Sequence, residues 1–107
     1  MRLGALLRSG EVGAALSQIG DLLARHPDDE HCLHLMGVAQ LQANRPAAAA
    51  RAFSAAVERL PEDLVFRANL GLALWRSGDP AGARIQLEQV VNALPGLASA
   101  VLNLANV

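Results

Sequence analysis

Residues Leu33–Pro61 read LHLMGVAQLQANRPAAAARAFSAAVERLP. Within this stretch Ala49, Phe53, Ala56, Val57 and Leu60 stand at i, i+4, i+7, i+8 and i+11, a single apolar stripe at helical spacing. Arg51, Ser54 and Glu58 fall on the opposite face. Ahead of the stripe, Asn44-Arg45-Pro46 interrupts the pattern, and Pro61 closes it. The four alanines behind Pro46 form a helix start, because proline suits a first turn and alanine has the best helix propensity. The stretch therefore encodes two helices joined by a tight turn.

Working outward, the same pattern returns at a fixed step. Pro27, Pro61 and Pro95 are 34 residues apart, as are Ala15, Ala49 and Ala83. Ile19, Phe53 and Leu87 keep that interval, and so do Leu22, Ala56 and Val90, and Leu23, Val57 and Val91. Gly10, Asn44 and Gly78 share it, with Gly37, Gly71 and Ala105. A second apolar stripe runs through Phe66, Leu70, Ala73 and Leu74. Ser9-Gly10-Glu11 and Ser77-Gly78-Asp79-Pro80 break the chain where Asn44-Arg45-Pro46 does. Gly78 can take the left-handed conformation that closes a helix, and Asn44 is the next-best residue for it. Asp79, Asp63, and Asp28 or Asp29 supply caps and negative charge at helix starts. Helices are expected near 1–9, 12–25, 29–43, 46–59, 63–77, 80–93 and 97–107. Gly37 with Ala49, and Gly71 with Ala83, would let paired helices approach closely.

Composition agrees with an all-α domain. Hydrophobic residues make up 52% of the 107 and aromatics only 3%. The apolar content is mostly Ala, Leu and Val, which suits packed helices better than a β-sandwich. Nine basic residues against ten acidic ones give a net charge of −1, without the electropositive footprint of a nucleic-acid binder. All nine basic residues are Arg, a bias associated with GC-rich bacteria. Cys32 is the only cysteine, so neither an internal disulfide nor a cysteine zinc finger is possible. No apolar run approaches the ~20 residues that span a bilayer. Arg8 and Glu11 cut short the apolar start at Met1–Leu7, so no signal peptide is read there, and a cytoplasmic location is expected.

These columns resemble the tetratricopeptide repeat, a 34-residue helix–turn–helix with a W-x2-L-G-x2-Y…A-x3-F…A…P pattern. Leu33 to Gly37 through Ala49, Phe53, Ala56 and Pro61 makes one full unit. Asn69-Leu70-Gly71 through Ala83, Leu87, Val90 and Pro95 makes the next. The sequence departs from the pattern at Arg67 in the tryptophan column, Gln40 in the tyrosine column, and Leu3 where the first unit should have its glycine. The resemblance implies a right-handed superhelical solenoid over 1–107. Its parts would be an incomplete first repeat at 1–29, full repeats at 30–63 and 64–97, and the first helix of another at 98–107. The last helix is apolar and lacks a polar cap, which implies either a fragment of a longer protein or pairing with another copy.

In this family the first helix of each unit lines a concave groove. By resemblance, the groove here presents Gly4, Leu7 and Arg8, then His31, His34, Leu35, Val38, Leu41 and Gln42. It continues through Val65, Ala68, Asn69, Leu72, Trp75 and Arg76 to Leu102, Asn103 and Asn106. Asn69 and Asn103 are one period apart and would align their amides. Each amide can donate and accept, so the pair suits the backbone of an extended peptide, similar to the asparagine ladder of O-linked N-acetylglucosamine transferases. The alternative is a pair of solvated side chains. Trp75 with Arg76 is the best anchor in the groove, unless Trp75 packs between neighbouring first helices. The carboxylate clamp that grips acidic C-termini is rejected, because Lys is absent and Ala68 and Leu102 occupy columns where a charge would help.

Chemistry is not expected. His31 and His34 share a helix face at i, i+3, yet a closed zinc site needs four ligands, so groove lining or pairing with the acidic cap is the better reading. Cys32 and His31 are adjacent and point about 100° apart on a helix, so they cannot form a nucleophile–base pair. Cys32 reads instead as a small buried hydrophobe. There is no glycine-rich phosphate loop and no G-x-S-x-G, and no cofactor is expected. The leading function is a protein-interaction scaffold that binds a peptide or partner protein. The alternatives are a recruiting or regulatory module of a larger bacterial glycosyltransferase, sulfotransferase or hydroxylase, and homo-oligomer assembly through terminal helices.

Overall fold

In the computed structural model, which describes residues 11–93, the chain forms five helices and no strand among those residues. They are α1 (Val12–Arg25), α2 (Glu30–Gln42), α3 (Pro46–Arg59), α4 (Leu64–Arg76) and α5 (Pro80–Ala93). The helices expected at 1–9 and 97–107, with Leu3, Gly10, Asn103 and Asn106, lie outside the described residues.

The ends of these helices follow from local chemistry. Asp29 accepts a hydrogen bond from the Cys32 amide at 3.0 Å, and Asp63 accepts one from the Phe66 amide at 3.0 Å. Each carboxylate thus satisfies one orphan N–H of the first turn, which places α2 and α4 one residue later than their expected starts. Asp79 does the same for the Gly82 amide at 2.9 Å. At the opposite ends Asn44 has φ 61° and Gly78 φ 91°. With Asn44 turned left-handed, the Arg45 amide reaches the Gln40 carbonyl at 2.8 Å and the Asn44 amide reaches Leu41 at 3.0 Å. Asp79 to Leu74 at 2.9 Å and Gly78 to Trp75 at 3.2 Å repeat that motif 34 residues on. The reversal sends the chain straight into Pro46 or Pro80 at the next helix start.

Each helix packs against its sequence neighbour. Ala15 and Ile19 of α1 bury with Ala39 of α2, and Ala49, Ala50 and Phe53 of α3 bury with Leu70 and Ala73 of α4. Leu87 and Val90 of α5 close on Leu64 and Ala68 of α4. Phe53 is fully buried. Its ring lies so close to Gly37 that a Cβ there would overlap it, and a Cβ at Gly71 would meet Leu87 Cδ2 at 2.8 Å. The small-residue column therefore sets the spacing within each pair.

Leu60, expected on the apolar stripe, is instead 38% exposed. It is the C-cap of α3, and with φ −130° it leaves the helical path before it can join the buried face. The two degenerate aromatic columns behave differently from each other. Arg67 donates to Gln86 Oε1 of α5 at 2.8 Å and to the Pro61 carbonyl at 2.7 Å, tying α4 to its partner and to the preceding loop. Gln40 directs its amide nitrogen to Met36 Sδ at 3.6 Å, and its buried Oε1 has no hydrogen-bond partner. No helix among the described residues is long and apolar enough to cross a membrane.

Candidate functional site

α2 and α4 are the first helices of consecutive units, and they meet through three side chains. His34 of α2 stacks on Phe66 of α4 with ring centroids 4.8 Å apart and planes at 27°. The Phe53 ring, at 5.6 Å and 46°, closes another side of the imidazole. Asn69 Nδ2 lies 2.8 Å from His34 Nε2. With the amide as donor, Nε2 is the acceptor and the ring proton sits on Nδ1, an assignment made from the bonding pattern. Burial pushes the His34 pKa below the ordinary 6.5, and the nearby Asp63 carboxylate opposes this less strongly.

This contact changes how the expected site residues stand. Asn69 is half-buried, and one of its two N–H donors is committed to His34, leaving its Oδ1 and the other N–H. His34 pairs with Asn69 rather than standing with His31, which is exposed one turn earlier. Val38 is half-buried between two core clusters, with Leu35 and Leu41 each packed against one of them. Ala68 packs toward Leu87 and Val90. Leu72 is half-buried. Exposed on the same two helices are Gln42, Arg76, Val65 at 63% and Trp75 at 40%. Along the helices, His31 and Val65 stand near the starts, the His34–Asn69 pair in the middle, and Gln42, Trp75 and Arg76 at the ends. Asn103 lies outside the described residues.

Cys32 is half-buried beside the Asp29 cap. Burial raises its pKa, and the Asp29 charge raises it further, so the thiol stays protonated and is a poor nucleophile. The Asp29 pKa is lowered in turn, chiefly by the bond it accepts from the Cys32 amide. The sequence reading missed Phe66 as the shelf beneath His34, having assigned it only to the core stripe. The available sign was the 35-residue separation of His34 and Asn69, one more than the period, which places them on facing sides of adjacent first helices.

The sequence profile of the family described as Tetratricopeptide repeat matches residues 34–98, more than half of the chain. A search of curated proteins gives no match. Among the described residues, helix pairs repeat at a 34-residue step, a glycine meets a large apolar side chain in both α2–α3 and α4–α5, and the turns are duplicated. The chain belongs to the tetratricopeptide repeat family.

Proposed function

We propose that the α2–α4 face binds an extended segment of a partner protein, with Val65 and Trp75 as its apolar contacts and Asn69 pairing with the guest backbone. The supporting observation is that α4 leaves Val65 63% and Trp75 40% exposed while Phe66, Leu70 and Ala73 are buried. Trp and Arg are the residue types that dominate binding hot spots, and Arg76 follows Trp75 directly. The Oδ1 and second N–H of Asn69 suit the alternating donors and acceptors of an extended peptide. Repeats of this family generally act as protein-binding scaffolds, and we read this chain as a binding element rather than an enzyme. Its one thiol is held protonated beside a carboxylate already used as a helix cap.

Selection of a random peptide library on the whole chain tests this reading. Enriched peptides are expected to lose at least about tenfold in affinity, roughly 1.4 kcal/mol, for Trp75→Ala and for Val65→Asp. Peptides that bind both variants as well as the wild type would place the binding surface elsewhere.

A further inference from the structure

The contact between His34 and Asn69 joins side chains from two different repeats, and burial together with the amide N–H facing Nε2 favours an uncharged ring over the opposing pull of Asp63. The imidazole is enclosed by Phe66 at 4.8 Å and Phe53 at 5.6 Å, and its Nε2 faces an amide N–H at 2.8 Å. The charged and titratable groups acting on it are Asp63 at the start of α4 and His31 on its own helix. α3 contributes the Phe53 ring and none of those charges. The Asp63 carboxylate accepts the Phe66 amide as a helix cap, so it cannot swing over to pair with the ring without uncapping α4.

We propose that the His34–Asn69 contact is a proton-operated joint between the two units, closed when the imidazole is neutral and opened when Nε2 takes a proton from solvent. Protonation at Nε2 converts the acceptor into a donor, so that two N–H groups face each other across the seam. Either the Asn69 amide turns over to present Oδ1, or α2 and α4 separate. If the amide turns over, a cation stays between the Phe53 and Phe66 rings; if the helices separate, the seam opens and the ring reaches solvent. Burial already holds the ring below its ordinary pKa, with the Asp63 attraction as the weaker influence. The sign of the linkage follows. Well above pH ~6.5 the ring is neutral whether the chain is folded or not, and the joint is intact. As pH falls below that value the unfolded chain takes up a proton more readily than the folded one, and stability is lost. The joint lies on the same α2–α4 seam as the proposed groove, so acidification would alter that face, but the joint itself does not depend on a peptide binding there.

The test is nitrogen-detected histidine NMR on the whole chain from pH 4.5 to 8, with thermal midpoints of the wild type, His34→Gln and Asn69→Asp. The His34 ring is expected to carry its proton on Nδ1 at neutral pH and to titrate below 6.5. Between pH 7.5 and 5.5 the wild type should lose more of its thermal midpoint than His34→Gln, because glutamine can donate or accept without changing charge. Asn69→Asp should reverse the response, since the new carboxylate would accept from the imidazolium. A His34 ring protonated on Nε2 at neutral pH, or titrating at or above 6.5, would overturn the proposal. So would equal pH responses of the wild type and His34→Gln. Should either variant fail to fold, the wild-type tautomer and titration decide alone.

Discussion

The two complete helix pairs, α2–α3 and α4–α5, share a turn and a period but differ in what they present beyond themselves. In the first, Gly37 faces the ring of Phe53; in the second, Gly71 faces the branched end of Leu87. On the outer side of α3, Ala50 is buried against α4 and Arg51 is exposed. One period later both positions are exposed, Arg84 in place of Ala50 and Ile85, at 57%, in place of Arg51. Arg84 pairs with Glu88 at 3.0 Å, four residues on along the same helix, where α3 has Ser54. The repeat thus conserves the contact inside a pair and the turn that makes it, while the face turned away from the pair varies. Interior spacing is set by atoms that must fit each other, whereas an outer face need only suit whatever lies beside it.

The largest effect that would test this comparison is at the buried large residue. Phe53→Ala is expected to cost about 3–5 kcal/mol, because the fully buried ring packs against two neighbouring helices and its removal leaves a cavity. Leu87→Ala should fall in the lower part of the about 2–5 kcal/mol range for aliphatic truncation. Chemical denaturation reads both, and a larger loss for Leu87→Ala would reverse the ranking of the two pairs. Next comes the glycine column. Gly37→Ala should cost about 1–3 kcal/mol by overpacking, since the facing ring is rigid. Gly71→Ala should cost less, because the overlap with Leu87 Cδ2 and Cγ, both at 2.8 Å, is milder than that with the ring and the branched side chain can change rotamer. Equal midpoints for the two alanine variants would remove the distinction between ring and branched chain. The smallest effect belongs to the outer face. Arg84→Ala should change stability by no more than about 0.5 kcal/mol, because its pair with Glu88 has side chains 81% and 62% exposed. A loss well beyond that would show that this face is part of a packed interface.

Much of the architecture was legible because its causes are local. The interval between Pro27, Pro61 and Pro95 marks the units, and Asn44 and Gly78 mark the turns, since few residues tolerate positive φ. The five helices fall within a residue or two of their expected limits, and the one-residue delays at α2 and α4 come from caps the sequence had already suggested. Leu60 was misplaced because a periodic stripe says nothing about where the backbone leaves the helix. The columns expected along the groove were harder. Leu35, Val38 and Leu41 pack against the core clusters, because a first helix lies between the helices on either side of it. Arg67 gave no forewarning of its bonds to Gln86 and Pro61, which depend on how α4 lies against α5.

Sequence alone determined that this protein is a stack of paired helices. Helical period, capping carboxylates and left-handed turn residues act within a few positions of one another, and their 34-residue recurrence fixes the unit. Only the tertiary structure decided that His34 meets Asn69, that Phe66 is its shelf, and that Trp75 and Val65 remain outside. Those outcomes depend on the height and angle at which α2 meets α4, and side chains 35 residues apart acquire a common environment only once the intervening helix has folded between them.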